Sequence, residues 1–126
     1  MTDQQITLHE LKERMANFVC ERDWQQFHNP KNLSMAISIE AAELMEHFQW
    51  LTEQQSQQLD RDALQEVGEE LADIVLYSLS LANCLQLELA ETVLNKLEKN
   101  ARKYPKEQVR GKAHKYTYYK QQEGEQ

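Results

Sequence analysis

Long stretches of this chain contain no residue that interrupts a helix, and this constrains its fold more than any other feature. The 126 residues include only three glycines and two prolines. Between Lys31 and Tyr104 there is no proline, and apolar residues recur every three or four positions. That spacing places apolar side chains along one face of a helix. With 40% hydrophobic and 28% charged residues, the sequence predicts a soluble, globular, all-α protein.

The apolar pattern predicts four helices, enough for one domain with a modest core. We expect them at residues 8–22, 32–51, 62–85 and 89–104. Thr7 and Glu10 have the spacing of a capping box at the start of the first helix. A polar stretch at 52–58 is expected to connect the second and third helices. The helical domain is therefore predicted to span residues 1–105, and the polar residues 106–126 to form a mobile tail.

Two pairs of acidic residues lie at the edges of the apolar faces of the second and third helices. Glu40 and Glu43 are three residues apart, and so are Glu70 and Asp73. Residues with this spacing point to the same side of a helix. If the two helices face each other, four carboxylates converge and repel one another unless cations lie between them. Oxygen ligands suit Mg²⁺ or Mn²⁺, so the spacing predicts a divalent metal site that handles phosphates.

The acidic pairs allow two other interpretations. Helices rich in glutamate contain such spacings by chance, mostly in solvent, and Glu43–Glu46 and Glu66–Glu69 are examples. A ferritin-like di-iron site requires a histidine three residues after a glutamate. None of the four histidines has that neighbour, so a di-iron site is disfavoured.

Polar and aromatic side chains provide further candidates for ligand binding. Lys96, Asn100 and Lys103 are predicted to share one face of the fourth helix, where they can bind phosphates or form a solvated basic face. Trp24 and Phe27 lie in the polar break after the first helix, and the second helix is predicted to end near Trp50. Aromatic side chains most often pack in a core, but beside a metal they suit a nucleobase, as does Tyr77 in the third helix.

Cysteine usage, charge and hydropathy exclude several classes of protein. Cys20 and Cys84 have neither CxxC spacing nor histidines at zinc-ligand spacing, so we expect two buried, reduced thiols. The net charge of −7 argues against non-specific binding to nucleic acid. No apolar run approaches the roughly 20 residues of a membrane span, and the N-terminus lacks the features of a signal peptide. We therefore expect a cytoplasmic protein without nucleic-acid or membrane partners.

These motifs resemble those of the MazG-like all-α nucleoside triphosphate pyrophosphohydrolases, and within that family those of the dCTP pyrophosphatases. The resemblance covers residues 11–116. It rests on ERDWxxFHxPKNL at 21–33, ExxE at 40–43, FQW at 48–50, EELxD at 69–73 and KxxxNxxKYP at 96–105. The chain departs from close relatives at Met15, where they carry histidine, and at EAAE, where they carry ExGE. Both departures leave the base specificity open.

The resemblance implies Mg²⁺-dependent hydrolysis of a (deoxy)nucleoside triphosphate, dCTP-like, to the monophosphate and pyrophosphate, in clean-up of the nucleotide pool. It also implies a four-helix bundle that assembles into a homodimer or a homotetramer built as a dimer of dimers, with nucleotide sites near subunit contacts. Carried over by position, the metal ligands are Glu40, Glu43, Glu70 and Asp73. The phosphate-binding residues are Lys31, Lys96, Asn100, Lys103 and Tyr104, and the base and sugar residues are Trp24, His28, Asn32, Trp50 and Tyr77.

The sequence leaves two points about the reaction open. A carboxylate that the metal does not fully use, Glu43 or Glu46, is expected to orient the attacking water. The alternative to an enzyme is a non-catalytic helical module that binds a nucleotide or a partner helix. Spacing does not separate these two functions, whereas Mg²⁺-dependent release of pyrophosphate does.

Overall fold

The computed structural model describes residues 1–113, and every regular element in that range is an α-helix, which confirms the predicted fold class. The helices are α1 (Leu8–Glu21), α2 (Pro30–Glu46), α3 (Glu53–Ser56), α4 (Arg61–Leu85), α5 (Leu89–Lys103) and α6 (Lys106–Val109). None of these described helices combines the length and the apolar composition that crossing a bilayer requires.

Side-chain caps determine where the first four helices begin. In each, the residue before the helix accepts a hydrogen bond from the backbone N–H three positions later, and these caps are Thr7, Asn29, Thr52 and Asp60. Thr7 and Glu10 form the predicted capping box. Pro30 is the first residue of α2, where its missing N–H breaks no helical hydrogen bond and its fixed φ suits the helix. The second helix therefore begins before the predicted residue 32.

The second helix ends at Glu46 rather than at the predicted residue 51. Beyond it, the backbone N–H of His47 donates to the carbonyl of Leu44, and that of Phe48 donates to the carbonyl of Met45. These bonds span three residues and tighten the chain into turns. No glycine or proline lies at this point, so apolar periodicity alone extends the prediction too far. The connector predicted at 52–58 contains the one-turn helix α3.

The chain divides into two compact units, residues 1–87 and 88–126. In the first unit, α4 packs against both α2 and α1. The described part of the second unit contains α5 and α6. Helix α6 lies in the range 106–126 that was predicted as a tail, and positions from 114 onward are outside the described residues. The predicted domain limits and the four-helix bundle arrangement stay predictions.

The apolar core is small and is contributed by α1, the start of α2 and the second half of α4. Its members are at most 7% exposed, and they are Met15, Val19, Leu33, Leu79 and Ala82. Phe18, Leu71 and Leu85, which continue the predicted apolar stripes, are instead 41%, 52% and 49% exposed. Two neighbouring helices cover only part of the surface of the 25-residue α4, so the remainder of its stripe faces outward.

Both cysteines are free and exposed, so the prediction of two buried thiols is wrong. Cys20 and Cys84 are the penultimate residues of α1 and α4, and both line a cavity of about 460 Å³ at these helix ends. The Cys84 thiol donates a hydrogen bond of 2.8 Å to the backbone carbonyl of His28. That contact ties the segment between α1 and α2 to α4.

We expect Leu79→Ala to lower the free energy of unfolding by about 2–5 kcal/mol, because it leaves a cavity where a fully buried side chain was. Leu85→Ala is the matched control, since Leu85 lies on the same helix but is 49% exposed. The control should change stability by no more than about 1 kcal/mol. Urea unfolding followed by circular dichroism measures both, and equal losses would contradict the described core.

Candidate functional site

Three of the four predicted metal ligands bring their carboxylate oxygens together between α2 and α4. One oxygen each from Glu40, Glu43 and Glu70 lies within 4.8 Å of the other two. Glu40 and Glu43 are nearly one turn apart on α2, and Glu70 approaches them from α4. Carboxylate oxygens this close can share a hard divalent cation. We call these three residues the carboxylate cluster.

Two oxygen atoms of the carboxylate cluster are buried and lack a hydrogen-bond partner among the described residues. They are Oε2 of Glu40 and Oε2 of Glu70. Burial, followed by the close carboxyl groups of Glu70 and Glu43 and by the charge of Asp73, raises the pKa of Glu40 to about 7. A buried carboxylate oxygen without a donor is costly, and a bound cation removes that cost. The unpartnered oxygens therefore show that these residues fit a divalent metal.

Asp73, the fourth predicted ligand, lies beside the carboxylate cluster without joining the three that converge. Its charge is close enough to contribute to the raised pKa of Glu40. Burial, and then the charges of Glu40, Asp73 and Glu43, raise the pKa of the Tyr77 hydroxyl. Asp73 and Tyr77 also line a neighbouring cavity, so they join that cavity to the acidic residues.

A histidine that motif analysis did not assign lies against the carboxylate cluster. His47 Nε2 is 3.9 Å from Glu70 Oε1, and His47 Nδ1 is 3.9 Å from Glu66 Oε2. The sequence could have indicated this position, because His47 lies four residues after Glu43 and therefore on the same side of the predicted helix. In the structure, His47 borders the carboxylate cluster on the side of Glu70.

A cavity of about 420 Å³ opens beside Asp73 and Tyr77. Its wall is formed by α1, by α4 and by the segment that follows α1, and its lining consists of Leu11, Arg14, Met15, Phe18, Trp24, His28, Asp73, Leu76 and Tyr77. We call it the ring-lined cavity. Arg14 was not among the residues predicted from the sequence. It lies three residues after Leu11 and four before Phe18, on the apolar face of α1.

The aromatic residues of the ring-lined cavity contact one another. The ring centroids of Trp24 and His28 are 6.2 Å apart with 21° between the ring planes, and those of His28 and Tyr77 are 6.2 Å apart at 35°. Phe18 meets Trp24 edge-on at 5.8 Å. Flat aromatic surfaces bind other planar rings by stacking. The fold thus brings together Trp24, His28 and Tyr77, three of the residues predicted to contact a base.

His28 is held in place through both its ring and its backbone. Its Nδ1 shares a hydrogen bond of 3.0 Å with Ser80 Oγ, and its carbonyl accepts from the Cys84 thiol. Asn32, another predicted base or sugar residue, donates from its side-chain amide to the Phe27 carbonyl at 3.2 Å. Asn32 therefore stabilises the segment that presents Trp24 and His28, and it does not line the ring-lined cavity.

Three other predicted site residues of the first unit lie outside both the carboxylate cluster and the ring-lined cavity. Glu46, the last residue of α2, is exposed, and no oxygen of it belongs to the cluster. Trp50 is 86% exposed and does not line the cavity. Lys31 is exposed in the first turn of α2. Their predicted roles stay predictions.

The remaining predicted phosphate-binding residues belong to the second unit. Lys96, Asn100 and Lys103 lie on α5, and Tyr104 is its C-cap residue. Spacings of four and three residues place the first three on one helix face, as predicted. Their contact with phosphate stays a prediction.

Comparison with known proteins agrees with these motifs. The model of the MazG-like family matches residues 35–118. The dCTP pyrophosphatase 1 of Bos taurus is 41% identical over 116 residues, which are 88% of this chain and 67% of that protein. The Homo sapiens protein of the same name is 40% identical, over 88% and 66%. The chain thus spans about two thirds of the length of these relatives.

A solved structure shares the fold. The crystal structure of a pyrophosphatase from Archaeoglobus fulgidus superposes with a TM-score of 0.74 and is 38% identical in sequence. The match covers 83% of this chain and 98% of that chain. Because the two proteins share sequence as well as backbone structure, the match supports a family relationship in addition to a common fold.

We expect the metal-free protein to lose stability as the pH rises from 4.5 to about 7. The Glu40 carboxyl ionises at its ordinary pKa of 4.5 in the unfolded chain but at about 7 in the fold. The folded state therefore binds more protons in this window, and the free energy of unfolding falls as the pH rises. Urea unfolding with a chelator present, at pH values across and on both sides of the window, measures the effect.

Glu40→Gln removes the titrating group and should flatten this part of the pH profile. Glu69→Gln, at an exposed position of α4, is the matched control and should retain the wild-type profile. If Glu40→Gln and wild type lose stability equally across the window, the raised pKa does not belong to Glu40.

Proposed function

We propose that this chain, which belongs to the MazG-like family and is a nucleoside triphosphate pyrophosphohydrolase, cleaves a dCTP-like pyrimidine deoxynucleoside triphosphate between the α and β phosphates. The products would be the monophosphate and pyrophosphate. The observation that supports this proposal is a carboxylate cluster with unpartnered oxygens directly beside the ring-lined cavity. The cluster suits metal-bound phosphates and the cavity suits a base. We further propose that the protein acts on the cytoplasmic nucleotide pool.

Glu40, Glu43, Glu70 and Asp73 are the residues that would hold Mg²⁺, with Mn²⁺ able to replace it. A divalent metal bound there supplies charge neutralisation at the phosphates and lowers the pKa of a water. Glu43 is better placed than Glu46 to accept the proton of the attacking water, because Glu43 belongs to the cluster and Glu46 does not. One oxygen of Glu43 lies within 4.8 Å of an oxygen of Glu40 and of Glu70, so the proposed acceptor is positioned beside the other carboxylates before a substrate binds.

The substrate's base and phosphates would be bound by different groups. Trp24, His28 and Tyr77 provide stacking surfaces, and the His28 ring is anchored by its hydrogen bond with Ser80. For the phosphates, Lys96, Asn100, Lys103 and Tyr104 of the second unit, together with Lys31, are supported by family resemblance and by their chemistry as cations and neutral donors.

Release of pyrophosphate from a panel of deoxynucleoside triphosphates, with and without Mg²⁺, tests the proposed reaction. We expect Mg²⁺-dependent release with at least one pyrimidine substrate. Glu40→Gln and Asp73→Asn should each lower kcat/KM by more than about a hundredfold, since loss of a partner outside the first ligand shell already costs about 10- to 100-fold. Both variants should remain folded.

Glu69→Gln is the matched control for these variants and should keep wild-type activity, because it removes an exposed carboxylate outside the cluster. Full activity in Glu40→Gln or Asp73→Asn would remove that residue from the metal site. Tight nucleotide binding without any pyrophosphate release would instead favour the non-catalytic helical module.

A second copy of the chain is the partner we propose for the exposed apolar stripe of α4. Leu64, Leu71 and Val75 are 61%, 52% and 44% exposed, and their spacing places them on one face. Gly68 lies on that face, and nothing is within 4 Å of the position that a Cβ would take. A mid-helix glycine costs about 1 kcal/mol relative to alanine, which close approach of another helix can offset.

Helix α2 exposes apolar residues as well. Met35, Ile39 and Met45 are 47%, 57% and 57% exposed. Exposed apolar residues on two neighbouring helices are more typical of an interface than of free surface. The resemblance to family dimers and dimers of dimers supports the same assembly. Because Trp50 does not line the cavity of its own chain, its predicted contact with the base would require the second copy.

We expect Leu71→Lys to convert the wild-type oligomer to a monomer, because a charge in the middle of the stripe must be desolvated on association. Gln65→Lys, which adds the same charge at an exposed polar position of α4 off the face that carries the stripe, is the control and should keep the wild-type mass. Sedimentation equilibrium measures both. A monomeric wild type, or an unchanged mass for Leu71→Lys, would show that α4 is not the interface.

A further inference from the structure

A buried serine of α4 holds one edge of the His28 imidazole. Ser80 is 4% exposed, and its hydroxyl oxygen lies 3.0 Å from His28 Nδ1. Within residues 1–113, Ser80 Oγ has no other hydrogen-bond partner, and His28 Nε2 has none. The proposed reaction uses the flat face of the His28 ring, but it gives no role to Ser80 or to the two ring nitrogens.

The surroundings of Ser80 indicate which group donates in this hydrogen bond. A hydroxyl has one proton to donate, and a buried donor that lacks an acceptor is costly. Serines inside helices can donate to the carbonyl four residues earlier, as Ser78 does to Ile74 at 2.7 Å. Among the described residues Ser80 forms no such bond, so His28 Nδ1 is the acceptor available to it. Donation by Nδ1 instead would leave the Ser80 proton buried without a partner.

The direction of this bond determines what the other ring nitrogen offers. A neutral imidazole carries a proton on one nitrogen and accepts a hydrogen bond at the other, so a proton is on Nε2 when Nδ1 accepts from Ser80. The two nitrogens point outward in widely different directions, which turns Nε2 away from Ser80. His28 lines both the ring-lined cavity and the cavity of about 460 Å³, whereas Ser80 lines only the latter. The Nε2–H donor is therefore directed to the side of the ring-lined cavity.

The Ser80 bond also distinguishes the two ways in which the ring can be turned. The His28 backbone is held separately, because its N–H donates to the Trp24 carbonyl at 3.1 Å and its carbonyl accepts from the Cys84 thiol. Ring contacts with Trp24 and Tyr77 restrict the plane of the imidazole, but a half-turn of the ring leaves that plane unchanged. The bond to Nδ1 favours one of the two orientations.

We propose that Ser80 is a positioning residue that fixes the tautomer and the orientation of His28, so that Nε2–H donates a hydrogen bond to an acceptor atom of the bound base. This inference rests on the proposed function and adds a polar contact to the stacking in the ring-lined cavity. Cytosine carries two acceptors on its edge, the carbonyl oxygen at position 2 and the ring nitrogen at position 3. A donor that is already oriented loses less entropy on binding than one that rotates freely.

The nitrogen chemical shifts of His28, measured by NMR on the full chain with isotope-labelled histidines, test the proposal without turnover. Protonated and unprotonated nitrogens of a neutral imidazole differ widely in chemical shift, and loss of signals in His28→Gln assigns those of His28. In wild type we expect Nε2 to be protonated and Nδ1 to be unprotonated. Ser80→Ala should give intermediate shifts at both nitrogens, because the two tautomers then mix. Addition of dCMP to wild type should shift the Nε2 signal and leave Nδ1 unprotonated.

Release of pyrophosphate from dCTP with Mg²⁺ measures the consequence for binding. Ser80→Ala should raise KM about twofold to tenfold, the usual effect of one hydrogen bond, with little change in kcat because the carboxylate cluster is untouched. Ser80→Thr retains the hydroxyl and should restore the wild-type tautomer. Ser78→Ala is the matched control, since it removes a hydroxyl of the same helix that bonds to backbone and not to His28. It should keep both the wild-type KM and the wild-type shifts of His28.

The outcomes separate the inference from the proposed function. If wild-type His28 carries its proton on Nδ1, or is protonated on both nitrogens, Ser80 does not donate to the ring and the inference is wrong, whether or not the protein is active. Unchanged shifts and KM in Ser80→Ala would also overturn it. If wild type releases no pyrophosphate from any triphosphate but shows the expected tautomer and the Nε2 shift with dCMP, the proposed reaction is wrong and the role of Ser80 in base binding stands.

Discussion

Packing of α4 against α2 is the contact on which the rest of this protein depends. It buries apolar side chains along the two helices, and at the same time it forces the carboxylates of Glu40, Glu43 and Glu70 together. Burial, and then the acidic groups beside it, raise the pKa of Glu40. Apolar burial elsewhere on the same helices offsets the cost of bringing these carboxylates together, so the fold holds a site whose charge a divalent cation can neutralise.

Helix α1, which also packs against α4, and the segment after it add the second half of the site. The segment is tied down by the contacts of His28 with Ser80 and Cys84, and it presents Trp24 and His28 toward Tyr77. A ring-lined cavity consequently lies beside the acidic residues, joined to them by Asp73. Because α4 contacts both α1 and α2, one helix sets the spacing between the carboxylate cluster and the ring-lined cavity.

Prediction from sequence succeeded where a single local interaction decides the outcome. The Thr7–Glu10 capping box and the long apolar stripes placed α1, α4 and α5 within a residue of their observed limits. It failed at the end of α2, where tight turns begin without a glycine or proline, and at α3, which a local cap starts within a polar stretch. Burial of the cysteines was also predicted wrongly, because helix periodicity does not reveal how far a neighbouring helix extends.

The sequence by itself determined the helical class and the pairing of acidic residues on two helix faces, because both depend on spacings within one helix. It also carried the motifs of the MazG-like family. Tertiary structure alone decided which carboxylates converge, that Asn32 supports its segment and does not line the cavity, and that His47 and Arg14 lie against the site. These facts depend on the packing of helices far apart in the chain, and the rotation and reach of each helix against its neighbour leave no local signature in the residue pattern.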